Sequence, residues 1–97
     1  MNITYTKEEL QDIGMKPHAI KAFLELQKLG CPVKAPIQGD DRGHFWISAE
    51  EENSGEWLDY YAENSLMFGD ESMNEILQEN GLYWEWYNPA YGNVYDI

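Results

Sequence analysis

Between Pro17 and Gly30 the sequence leaves little choice of conformation. Proline presets φ for a first helical turn and lacks the N–H that such a turn leaves unpaired, while glycine accepts the left-handed geometry that ends a helix. Inside this frame Ile20, Phe23 and Leu24 form one apolar stripe, flanked by Ala19, Ala22, Leu26 and Leu29. Lys21, Glu25 and Lys28 share the opposite side at i, i+4 and i+7, a spacing that permits ion pairs. The segment reads as an amphipathic helix that needs a second layer to cover its stripe.

The flanking segments supply that layer. Thr6-Lys7-Glu8-Glu9 fits a capping box, which predicts a short helix running to about Ile13 and ended by Gly14. Pro32 and Pro36 bracket an extended piece, Val33 to Ile37, suited to a sheet edge. Gly39-Asp40-Asp41-Arg42-Gly43 carries turn chemistry. His44 to Ala49 then alternates, with Phe45, Ile47 and Ala49 on one face, Glu52 to Gly55 turns, and Trp57 to Ala62 follows. This pattern predicts a β-hairpin, with a helix beginning at Trp57 as the alternative.

Further on, Ser72-Met73-Asn74-Glu75 fits a second capping box, with Asp70 and Glu71 placed where a helix N-terminus stabilises acids. Met73, Ile76 and Leu77 supply its apolar stripe, and Asn80-Gly81 its stop. Leu82 to Tyr87 alternates, Asn88 to Asn93 turns, and Val94 to Ile97 returns as a second hairpin. There is no internal repeat and no linker-like stretch. The predicted fold is a single α+β domain over residues 1–97, with two N-terminal helices and one later helix packed on a small antiparallel sheet of two hairpins. Residues 1–42 form a charge-balanced helical part, and residues 43–97 an acidic hairpin–helix–hairpin part.

A chain of 97 residues buries only about 60–65% of its unfolded surface, so its core has to be dense. Four Trp and seven Tyr provide that density, since each buried aromatic removes roughly 150–250 Å² from water. Cys31 is the single cysteine and reads as a buried structural thiol. With no disulfide framework, no signal-peptide pattern and no long apolar run, the expected compartment is the reducing cytoplasm.

Charge separates the two parts. Residues 1–42 hold six acids against six bases, whereas residues 43–97 hold twelve acids and no Lys or Arg, which accounts for the whole net charge of −12. Protein surfaces ordinarily intersperse both signs. Such a field repels nucleic acid and anionic membranes and attracts basic surfaces.

Catalytic and cofactor patterns are missing. Asp40-Asp41-Arg42-Gly43 lacks the alternating oxygen ligands and closing Glu of a calcium loop. His18 and His44 have no His or Cys partner at ligand spacing and read as ordinary polar residues. No nucleophile elbow or glycine-rich phosphate loop is present, and carboxylates are too common for any pair to be informative. A binding protein is expected, with no catalytic residues, metal ligands or cofactor.

The remaining constellation is acidic and aromatic. If Leu82, Trp84 and Trp86 face the core, then Tyr83, Glu85 and Tyr87 share the opposite side of their strand. Trp57, Asp59 and Tyr61 alternate likewise in the first predicted hairpin, beside Glu50, Glu51, Glu52 and Glu56. Trp and Tyr are enriched at interface hot spots, and surrounding carboxylates add steering and specificity. In size, acidity and aromatic content the chain resembles small acidic phage-encoded anti-defence proteins, the DNA-mimicking anti-restriction and anti-CRISPR inhibitors. The resemblance is one of class across the whole chain, without a shared motif or fold, so it carries over no residue. It implies a cytoplasmic inhibitor acting in a bacterial host, which occupies the nucleic-acid channel of an effector without itself binding nucleic acid or membrane. Immunity proteins that neutralise basic nucleases share the same physics. An aromatic platform for sugar or peptide is the reading in which the acids are incidental. A monomer or an edge-paired homodimer is compatible with the pattern.

Overall fold

The computed structural model describes residues 4–36, 43–62 and 65–97. Helix α1 spans Lys7–Ile13, and its capping box forms in full: the Glu9 N–H donates to Thr6 Oγ1 at 3.2 Å and the Thr6 N–H to Glu9 Oε1 at 3.0 Å. Helix α2 spans Pro17–Lys28 and buries Ala19, Ile20, Ala22, Phe23 and Leu26. Gly14 and Gly30 end the two helices at φ +96° and +90°. The Gln27 side chain ties the incoming chain to α2, accepting from the Tyr5 N–H at 2.8 Å and donating to the Tyr5 carbonyl at 2.9 Å. The capping box and the two glycine stops follow from residues a few positions apart and match the sequence expectation.

Strands β1 (Val33–Lys34), β2 (Phe45–Ser48), β3 (Leu82–Asn88) and β4 (Tyr91–Asp96) form one antiparallel sheet in the order β1-β2-β4-β3. The fold is α+β, with three helices and this sheet. Register places Val33, Phe45, Ile47, Val94 and Leu82 on one face, where they meet Leu10, Phe23, Leu26, Met73 and Leu77 of the helices in a continuous core. The alternate residues, among them Trp46, Asn93, Tyr83 and Glu85, point to the other face. Burial pushes the Cys31 thiol far above its usual range, with the Asp70 charge adding to the effect, so this cysteine is an inert part of the core.

Three local expectations are corrected. Strand β4 begins at Tyr91 and not at Val94, because Tyr91, Gly92 and Asn93 pair with both β2 and β3, which leaves only Pro89 and Ala90 between the strands. Residues 57–62 are neither the second strand of a hairpin nor a helix. Ser54–Glu56 makes one 3₁₀ turn, Leu58 enters the core, and the backbone of 57–59 bonds to 66–70 (Asp70 N–H to Trp57 O, 2.7 Å; Asp59 N–H to Leu66 O, 3.1 Å). Both edges of β2 are already occupied, by β1 and β4, so no edge is left for this segment. The first antiparallel pair is therefore β1–β2. Helix α3 (Glu71–Glu79) is capped by Asp70 in place of Ser72; the Asp70 carboxylate accepts from the Met73 N–H at 3.2 Å. The expected turn at 39–42 lies outside the described residues, as does the end of the extended piece at Ile37.

Trp84 locks the sheet to α3. Its indole N–H donates to Asn74 Oδ1 at 2.9 Å, and its ring lies where a Cβ on Gly92 would come within 2.5 Å and one on Gly69 within 2.6 Å. We expect Gly92→Ala to destabilise the fold by about 1–3 kcal/mol in urea unfolding, the usual cost of overpacking a closed site. Gly55→Ala, with open space around its Cα, should change stability by less than about 0.5 kcal/mol.

Candidate functional site

Where α3, the 3₁₀ segment Ser65–Phe68 and the edge strand β3 meet, an open groove of about 440 Å³ forms. Met67, Phe68, Leu77, Trp84 and Trp86 supply its apolar wall, and Asn74, Gln78 and Glu85 its polar rim. Both indole N–H groups are used internally, Trp84 on Asn74 and Trp86 on the Met67 carbonyl at 2.7 Å. The groove consequently offers aromatic faces and the Glu85 carboxylate, a combination that attracts cationic side chains.

An aromatic ladder extends the groove. Tyr61, Tyr60, Trp86 and Trp84 contact one another in sequence, with ring centroids 5.3, 5.4 and 4.9 Å apart and edge-to-face planes. Tyr61 is 78% exposed and Phe68 74%, so both present most of their apolar surface to solvent. On the other face of the sheet Tyr83 meets Tyr95, and Tyr87 and Trp46 both meet Tyr91.

Glu71, Glu75 and Glu79 are all exposed on α3 and recur every four residues, about 6 Å of helix axis apart. Beyond Glu71, whose place in the first turn the helix N-terminus favours, this stripe opposes the helix's own stability. Like charges at i, i+4 repel, and Glu79 adds a negative charge at a C-terminus that carries no base. It was not among the residues expected from sequence, where α3 was read through its cap and its apolar face.

The expected residues divide into two groups. Glu50, Glu52 and Glu56 are exposed in the loop after β2, and Tyr61 is exposed at its far end. Glu51 pairs with Lys34, whose hydrogen bond and charge hold the carboxyl below its usual range. Trp57 is half-buried against the core, and Asp59 accepts the Tyr61 N–H at 3.0 Å, so both act within the protein. Tyr83, Glu85 and Tyr87 are exposed on β3 as expected. However, the Tyr60–Tyr61 pair reaches β3 at Trp86, which alternates with them. Through Tyr60 the fold thus carries Tyr61 to β3, on the face opposite Tyr83 and Glu85.

A second cluster was invisible in the sequence. His18 in the first turn of α2 and His44 just before β2 both direct Nε2 at Oδ1 of Asp96, at 2.7 and 2.9 Å. Their rings lie edge-to-face with centroids 5.1 Å apart. The histidines are 26 residues apart and Asp96 is 52 beyond His44. Only the β2–β4 register, with Phe45 opposite Val94, could have announced that His44 lies beside the end of β4.

Comparison with family models, curated proteins and solved structures returned no match. Among the described residues no helix is long and apolar enough to cross a membrane.

Hydrogen bonds from His18 and then His44 hold the Asp96 carboxyl below its usual range. A carboxylate with a depressed folded-state pKa stabilises the fold above the unfolded aspartate range, and loses that contribution as pH falls through the depressed value. An NMR titration should place the Asp96 midpoint below that of an ordinary aspartate, and replacing both histidines by Gln should restore it. The stability difference between wild type and Asp96→Asn should vanish in strong acid. On α3, Glu75→Lys converts two repulsive i, i+4 pairs into attractive ones. It should raise stability by about 0.5–1 kcal/mol in urea unfolding.

Proposed function

We propose that this chain is an acidic binding protein that occupies a basic surface of a partner protein, of the kind that ordinarily holds nucleic acid, and thereby blocks it. The observation that carries this reading is the joint placement of an aromatic groove with spent N–H donors and a stripe of unpaired carboxylates. Among the described residues, the acids of 43–97 find a single lysine partner, Lys34 on Glu51. Glu71, Glu75 and Glu79 form no ion pair among the described residues and keep their charge available, at a cost to α3 that solubility alone does not require. A partner's Lys and Arg side chains would neutralise Glu71, Glu75 and Glu79, and an inserted cation would stack on the ring faces of the groove. Relief of self-repulsion on binding favours the complex, and steering by the acidic field speeds its formation.

DNA-mimicking inhibitors act by the same physics, as do immunity proteins against basic nucleases. Glu51 is already paired, so the stripe on α3 and Glu85 on the groove rim become the principal candidates.

The test is affinity capture from a bacterial lysate, followed by kinetics with the captured partner. Expected results are capture at low salt, release by added duplex DNA, and an association rate that falls as salt rises. Replacing Glu71, Glu75 and Glu79 with Gln should slow association several-fold while changing dissociation less. Capture indifferent to salt and to competing DNA would overturn the proposal. If Phe68→Ser or Tyr61→Ser then abolished that capture, the aromatic platform would be the better account.

A further inference from the structure

We propose that His18, His44 and Asp96 form a binding site for a divalent transition-metal ion of the zinc type, separate from the acidic groove. Three ligand atoms, two imidazole Nε2 and one carboxylate oxygen, lie within 4.8 Å of one another. They come from three elements, the first turn of α2, the residue before β2 and the end of β4. Each backbone is held independently: Pro17 begins α2, the His44 N–H donates to the Val94 carbonyl at 2.7 Å, and the Ile97 N–H to the Gly81 carbonyl at 2.9 Å.

The present contacts are the proton-filled form of such a site. Both Nε2 atoms converge on the same oxygen, Oδ1, so a cation between them would meet all three ligands at once. Tetrahedral zinc at about 2.0–2.2 Å from nitrogen and oxygen ligands sets those ligands about 3.3–3.6 Å apart. The existing separations of 2.7 and 2.9 Å therefore need to widen by about 0.4–0.9 Å. Asp96 is 61% exposed and His18 41%, which leaves both side chains room to do so. On binding, a neutral imidazole moves its proton from Nε2 to Nδ1 through solvent and donates the freed lone pair; a protonated ring releases one proton.

The donor set selects the class of ion. Two imidazoles and one carboxylate suit zinc, cobalt, nickel or copper, whereas calcium and magnesium take oxygen ligands. One coordination position remains for water or a ligand from outside. The net charge of −12 draws cations toward the whole surface, so selectivity has to come from the two nitrogens. A bound ion would staple α2 to the two inner strands of the sheet.

The test uses tag-free chain titrated with Zn²⁺, with Mg²⁺ and Ca²⁺ as controls. The chain contains two histidines, so their ring protons can be followed directly by NMR. Expected results are one Zn²⁺ per chain, joint perturbation of both imidazoles saturating at one equivalent, and a melting temperature that rises with Zn²⁺ concentration. His18→Gln, His44→Gln and Asp96→Asn should each weaken binding by at least about tenfold, and circular dichroism should show that each variant still folds. Uptake that is unsaturable, equal for Mg²⁺, or unchanged in the three variants would overturn the site and assign any binding to the surface carboxylates.

Discussion

Trp84 joins the parts of the molecule that carry its candidate function. Its ring rests on Gly92 of β4 and Gly69 ahead of α3, and its N–H is spent on Asn74 within α3. One side chain thereby fixes the distance between sheet and helix, and with it the width of the groove. Trp86 continues the contact edge-to-face and carries Tyr60 and Tyr61 on its outer side. A smaller residue at 84 would loosen both the packing and the aromatic surface, since the two are built from the same rings.

Electrostatics runs against this packing. The core is complete on the helix-covered face, while the acids gather on α3, on the loop after β2 and on the rim of the groove. Helix α3 tolerates its like charges because Met73 and Leu77 are fully buried, and hydrophobic burial of two such side chains outweighs repulsion of a few tenths of a kcal/mol per pair. A segment held by burial is free to present an unfavourable charge pattern outward. That separation of roles lets a small domain expose a dense acidic surface without dissolving the fold that supports it.

The readable features share one property, that both partners lie within a turn of each other. Thr6 with Glu9, Pro17 at a helix start and Gly30 at its end are satisfied by local backbone geometry whatever surrounds them. The alternation at Leu82 to Tyr87 was equally legible, because one face of β3 is buried and the other exposed. Ser72 and Asp70 illustrate the limit. Both satisfy the rules for an N-cap, and the choice of Asp70 coincides with its N–H bonding the Trp57 carbonyl, a contact across thirteen residues.

Sequence by itself determined the helix boundaries of the N-terminal part, the β3–β4 hairpin, the α+β class and the concentration of negative charge after residue 42, because periodicity, capping and composition are local quantities. Tertiary structure decided which strand β2 pairs with, why 57–62 is not a strand, and how α3, which carries Glu71, Glu75 and Glu79, forms one wall of an aromatic groove through Asn74, Leu77 and Gln78. It also brought His18, His44 and Asp96 to one point. Each of these depends on strand order, and strand order is set by which edges remain open once the whole core has closed.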